Sequence, residues 1–120
     1  MIPLQQSSRR AREREAEYML MAAEARREDA RARATGELGI AWSMYAQGRE
    51  TLRLLEHTLL PQAQATRDAS QAALSSGKVD FDSVIEAERQ LIDIRTQRLK
   101  AELDTRLALT EIKKLTGDLK

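Results

Sequence analysis

Between Ser8 and Thr116 the chain has one place that ends one helix and begins another. Ser75-Ser76-Gly77 reads as a helix end with glycine just past it, where a left-handed residue is favoured. Asp80 then reads as the N-cap of the next helix, with Asp82 in its first turn favoured by the helix dipole. A link this short forces the two helices antiparallel. The expected fold is therefore all-α: a long antiparallel two-helix coiled-coil hairpin, helix about 8–76, turn 77–80, helix about 81–116. Composition agrees. Ala, Leu, Arg, Glu and Gln dominate, while two Val and a 3% aromatic share leave little to build a sheet or a compact globular centre.

Before the turn the helical pattern meets few obstacles. Ile2-Pro3-Leu4 is compatible with the end of a strand, and Ser7 and Ser8 suit N-cap positions before Arg9. Gly36, Gly39 and Gly48 are each open to two readings, a tolerated surface glycine or the close approach of a neighbouring helix. Pro61 removes a backbone donor and crowds the preceding turn. The stripe Leu52, Leu55, Leu59, Ala63, Thr66, Ala69 and Ala73 keeps three- and four-residue spacing across it, which predicts a kink at Pro61 and not a loop.

The second helix carries two apolar seams. One is Val84, Ala87, Leu91, Ile94, Ala101, Ala108, Ile112 and Leu115; the other is Ile85, Ile92 and Leu99, joined by Leu103 and Leu107. A hairpin needs one seam per helix. A second implies neighbours on two sides, as in a ring or bundle, or else one wide stripe against a single partner. Lengths add to this. At ~1.5 Å per residue the helices would span roughly 100 and 55 Å, so the first half of helix one has no partner in the hairpin. That half still carries Ala11, Tyr18, Ala22, Ala25 and Ala32 at helical spacing. Either further helices belong beside it or the chain self-associates.

Charge and chemistry exclude several classes. Charged residues make up 32% of the chain with a net charge of +1, so opposite charges are interleaved, and a nucleic-acid partner, which needs a basic excess, is not expected. Pairs such as Arg9 with Glu13, Glu24 with Arg27 and Glu28 with Arg31 suit a solvated helix face. There is no cysteine, His57 is the sole histidine and lies among leucines, and no phosphate loop, zinc or calcium motif occurs, so no catalytic residue, metal or cofactor is expected. Trp42, Met44 and Tyr45 form an aromatic knot suited to packing. No apolar run approaches the ~20 residues of a membrane span, and the polar Gln5-Gln6-Ser7-Ser8-Arg9-Arg10 rules out a secretory core. If the chain works outside the cytoplasm, it is an internal piece of a longer protein headed by an added or fortuitous Met1. The turn is then the feature that points to function: Lys78, Val79 and Phe81 stand at the end of a rod, and Val79 and Phe81 are larger and more apolar than a free tip requires.

Certain segments resemble a known family. Leu59-Leu60-Pro61-Gln62-Ala63, then Ala73-Leu74-Ser75-Ser76-Gly77-Lys78-Val79-Asp80-Phe81, then Val84-Ile85-Glu86-Ala87-Glu88-Arg89-Gln90-Leu91, and the closing Leu115-Thr116-Gly117 are similar to outer-membrane efflux proteins of the TolC type. The Ile-Pro-Leu opening before an Arg-rich helix is also like these proteins. The resemblance implies one periplasmic helical hairpin, more of the C-terminal kind, from a trimeric Gram-negative outer-membrane channel, with membrane contact only through a β-barrel outside this chain. It implies a periplasmic adaptor as direct partner and an inner-membrane transporter as indirect one, and it touches the heavy-metal branch of the family without any residue that selects a metal. Carried over by position, Gly77, Lys78, Val79, Asp80, Phe81 and Val84 would form the adaptor-docking tip, and Asp82 and Glu86 would face the tunnel entrance. Ser83 stands where the family is often acidic, and Ala73 or Leu74 where an aromatic is common, so neither a strong acidic ring nor an aromatic gate is implied. The alternative, unrelated to transport, is a cytoplasmic coiled-coil scaffold or regulatory hairpin.

Overall fold

The computed structural model describes residues 2–117, with side chains from residue 3 onward; Met1 and residues 118–120 lie outside it. The described residues are all-α and form a helical hairpin. Helix α1 runs Ile2–Leu54, a five-residue π-helical turn follows at Leu55–Leu59, α2 runs Leu60–Ser75, and α3 runs Phe81–Gly117. No strand occurs among them, and none of these helices is long and apolar enough to cross a membrane.

By its internal contacts the chain divides into two units, Met1–Leu38 and Gly39–Lys120. The first is the N-terminal part of α1. Every side chain from Pro3 to Arg33 is exposed, including Leu4, Tyr18, Met19, Leu20 and Met21. Two expectations fail in this unit. Ile2-Pro3-Leu4 is helical, not the end of a strand, because a proline near the first helical position has no intrahelical donor to lose and its fixed φ suits the helix. Ser7 is accordingly not a cap but sits inside α1, where its hydroxyl donates to the Leu4 carbonyl at 2.9 Å, and Ser8 is helical too. The ion pair that closes on this face is Asp29 with Arg33, at 2.9 Å.

The second unit contains the hairpin. Its direction is fixed by three cross-helix pairs. Gly48 lies against Thr105, Glu56 meets Arg98 at 2.9 Å, and Arg67 meets Glu88 at 3.7 Å, so residue numbers rise on one side as they fall on the other. On α3 the buried positions are Val84, Ala87, Leu91, Ala101, Thr105, Ala108 and Ile112, with Ile94, Arg98 and Leu115 half-buried between them. That is an unbroken alternation of three- and four-residue steps, the spacing that keeps one face against a partner. The facing line on helix one runs through Ala41, Tyr45, Gly48, Leu52, Leu55 and Leu59.

At Leu59 the spacing carries one residue too many. The line continues through Ala63, Arg67, Ser70 and Leu74, with a four-residue step where a three-residue step is due. The π turn takes up that extra residue. The Leu60 N–H donates to the Leu55 carbonyl, five residues back, and Leu54, Leu59 and Leu60 all keep right-handed helical φ and ψ. Pro61 explains the location, because it removes the N–H that would reach four residues back and its ring would crowd that carbonyl. As expected, the helix continues through Pro61 without a loop, and it widens just before the proline. The expected stripe is corrected past this point: Thr66 and Ala69 face solvent, and Arg67 and Ser70 take the seam.

Candidate functional site

The hairpin tip is built by two capping devices placed back to back. The Gly77 N–H donates to the Leu74 carbonyl at 3.0 Å and the Lys78 N–H to the Ala73 carbonyl at 2.8 Å, the paired bonds of a Schellman motif. Gly77 has φ +70°, the sole positive φ among the described residues, and a Cβ there would meet nothing, so glycine is selected for conformation and not for room. Three residues after Gly77 the Asp80 carboxylate opens α3. Its Oδ1 accepts from the Ser83 N–H at 3.1 Å and from the Ser83 hydroxyl at 2.6 Å.

These bonds favour the ionised carboxylate. The Ser83 hydroxyl, then the Ser83 N–H, hold the Asp80 pKa below its ordinary value, although the side chain is solvent-facing. A folded-state pKa below the unfolded one contributes stability above the usual carboxylate range and loses it as pH falls through the folded value. Asp80→Ala is therefore expected to lower the thermal midpoint slightly near neutral pH, and the gap from wild type should close in acid. Asp80→Asn, which still accepts the two bonds, should show a flatter pH profile. Melting curves of the three proteins across acidic pH check this, and a gap that persists in acid would remove the carboxylate from the explanation.

The eight residues assigned to the tip and entrance separate by exposure. Gly77, Lys78, Asp80, Asp82 and Glu86 are exposed, Val79 is half-buried, and Phe81 is 63% exposed in the first turn of α3. Val84 is 7% exposed within the seam, so it supports the tip from inside and offers no docking surface itself. Asp82 and Glu86 lie four apart along one side of α3, with Glu86 Oε1 accepting from Gln90 Nε2 at 3.5 Å. Asp80 is occupied with capping. Among the described residues no three His, Cys, Asp or Glu side chains gather as a metal set.

The expected packing of the aromatic knot against a neighbouring helix fails for Trp42 and Met44 among the described residues: both are more than half exposed, and the ring contact is local to α1. Trp42 meets Tyr45 edge to face, centroids 5.9 Å apart, and the Arg49 guanidinium lies 5.9 Å from the Tyr45 ring centroid. His57 is exposed on the π turn. Of the three glycines, Gly48 makes the close approach, while Gly36 and Gly39 have nothing within 4 Å of an added Cβ. On α3 two seam residues were invisible to an apolar pattern, Arg98 and Thr105. Their signal was position alone, since they complete the spacing between Leu91 and Ile112. The expected second seam is a solvent face: Ile92, Leu99, Leu103 and Leu107 are each more than half exposed. Comparison of the chain with protein-family models, with curated proteins and with solved structures finds no match.

Proposed function

We propose that this chain is a periplasmic tunnel segment of a trimeric outer-membrane efflux channel, whose hairpin tip docks a periplasmic adaptor and borders the tunnel entrance. The sequence likeness around Gly77 to Leu91 motivates the reading. The observation that carries it is the tip itself. Two capping motifs hold Lys78, Val79 and Phe81 at the apex, where Phe81 is 63% exposed and Val79 half-buried, so two apolar side chains stand at the end of the hairpin. A rigid apex with an apolar projection suits end-on contact with another helical hairpin. The lone helix of the first unit and the outer face of α3 also fit a protein wall made of more helices than this chain supplies.

The test begins with the gene. Reading it in both directions should reveal a secretory signal and alternating strands of ~10 residues that would close a barrel. In the full-length protein, Phe81→Glu and Lys78→Glu alter exposed positions only. Export should fall at least about tenfold, as expected when a central contact residue is lost, with trimers still recovered from the membrane. Full export by both variants would remove the docking role, and a gene without signal or strands would favour a coiled-coil scaffold.

A further inference from the structure

Helix α3 has an outer face that is complementary to itself. Opposite the buried seam run Ile85, Glu86, Arg89, Ile92, Asp93, Thr96, Leu99, Lys100, Leu103, Arg106 and Leu107. Thr96 is the centre of this pattern. Ile92 and Leu99 lie four residues before and three after it, and Ile85 and Leu107 eleven before and eleven after. Asp93 and Lys100 lie three before and four after, Glu86 and Arg106 ten before and ten after, and Arg89 and Leu103 seven before and seven after. The acidic groups Glu86 and Asp93 precede the centre and Lys100 and Arg106 follow it, with Arg89 the one basic group on the acidic side. Turning the face end for end about Thr96 places Ile92 by Leu99 along one flank and Asp93 by Lys100 along the other, with the Arg89 stem along Leu103 near the middle. A parallel copy would instead set Asp93 beside Ile92 and Lys100 beside Leu99, charge against apolar surface.

We infer that this face is an interface between two copies of the chain, packed antiparallel about a two-fold axis through Thr96. An isologous contact of this kind needs a surface that matches itself under rotation, which is the property of this sequence. Ile92 is 59% exposed, Leu99 63%, Leu103 56% and Leu107 58%. Together they present roughly 400 Å² of apolar surface along a ~34 Å stretch of helix, about half of the ~800 Å² per partner of a standard complex, which suits a weak, reversible dimer. The charged groups are accessible. Asp93 accepts from Gln97 and Arg106 pairs with Glu102, both along the surface of α3 at 2.7 Å, and neither bond takes the side chain out of solvent. The inference concerns the 120-residue chain by itself and does not rest on the tunnel reading, in which neighbouring helices would cover the same face.

Sedimentation equilibrium of the chain over a roughly hundredfold concentration range should give a reversible monomer–dimer equilibrium. Leu99→Glu should weaken it at least about tenfold, with helix content by circular dichroism unchanged because the site is exposed. Asp93→Lys and Lys100→Asp should each weaken it, and the double swap should restore it. The chain has no cysteine, so Thr96→Cys should form a disulfide-linked dimer under mild oxidation, while Lys113→Cys, about 50 Å from its copy in this arrangement, should not. A monomer at every concentration would overturn the inference and leave the face to helices of another kind. So would a dimer indifferent to Leu99→Glu, a double swap that fails to restore pairing, or equal linking at both cysteine positions. None of these outcomes bears on export by the tip variants.

Discussion

Replacing Leu91 with alanine is expected to lower the unfolding free energy of the hairpin by about 2–5 kcal/mol, the range for truncating a fully buried leucine. Leu91 is 1% exposed and is the largest side chain that the fold hides completely. It stands on α3 between the levels of the Glu56–Arg98 and Arg67–Glu88 pairs, where the facing seam offers Ala63. The effect is large because the core is thin. The buried apolar set is Ala41, Leu55, Ala63, Val84, Ala87, Leu91, Ala101, Ala108 and Ile112, and alanine contributes little apolar area, so Leu55, Val84, Leu91 and Ile112 carry most of the burial. The total stability of a domain is only about 5–15 kcal/mol, and a cavity here consumes a sizeable part of it. The two cross-helix ion pairs cannot compensate, since they are half-buried at the flank of the seam, still reached by water, and such pairs contribute about 0–1 kcal/mol. Leu54→Ala is the control. Leu54 is 51% exposed one residue from the buried Leu55, and its truncation should change stability by about 0.5 kcal/mol or less. Denaturant titrations followed by circular dichroism compare the three proteins, and similar midpoints for all of them would mean that the seam is not where the hairpin is held.

Most of the hairpin was legible because its determinants are local. Gly77 and Asp80 announce the turn through backbone chemistry that acts within a few residues, and they appear where that chemistry places them. The seam of α3 was legible for a second reason. Val84, Ala87, Leu91, Ala101, Ala108 and Ile112 are apolar and evenly spaced, so pattern and burial coincide. Helix one was readable only as far as Ala63. Beyond it the pattern Thr66, Ala69, Ala73 looked continuous, whereas the true line passes through Arg67 and Ser70. The extra residue in the π turn rotates everything after it by one position, and the rotation depends on where α3 lies, which local sequence does not encode. Polar seam residues hide for a related reason. Arg67 and Arg98 reach across to Glu88 and Glu56 with stems along the seam, and such positions look solvated until the partner is in place. The tip showed the converse limit. Phe81 and Val84 are both apolar near the turn, yet one projects and the other is buried, because Asp80 sets the phase at which α3 begins. The outer face of α3 was visible as a second seam, but its exposure needed the structure.

Gly48→Leu is expected to cost about 3 kcal/mol or more, at the upper end of overpacking, despite leucine being the better helix former. Glycine inside a helix is unfavourable by roughly 1 kcal/mol relative to alanine, so Gly48 persists against its own propensity. The reason lies across the seam. A Cβ at Gly48 would collide with Thr105 Oγ1 and would lie 3.3 Å from Thr105 Cβ and 3.4 Å from Thr105 Cα, which is backbone of α3. The threonine cannot swing aside freely. It is buried, its β-branch restricts χ1, and its hydroxyl donates to the Ala101 carbonyl at 2.7 Å. Rotation would strand a buried hydroxyl at a further ~1–3 kcal/mol. Alanine at position 48 thus sets a helix-propensity gain against a steric loss, and the steric term should win by about 1 kcal/mol, whereas leucine must push the backbones apart. The cycle through Thr105→Ala separates these terms. Removing the hydroxyl leaves the added Cβ facing a methyl group at a distance the seam can absorb with a small shift, so Gly48→Ala with Thr105→Ala should be clearly more stable than the sum of the single changes and close to wild type. Additive single effects in denaturant titrations would mean that residues 48 and 105 do not touch, and the antiparallel register drawn from that contact would have to be redrawn.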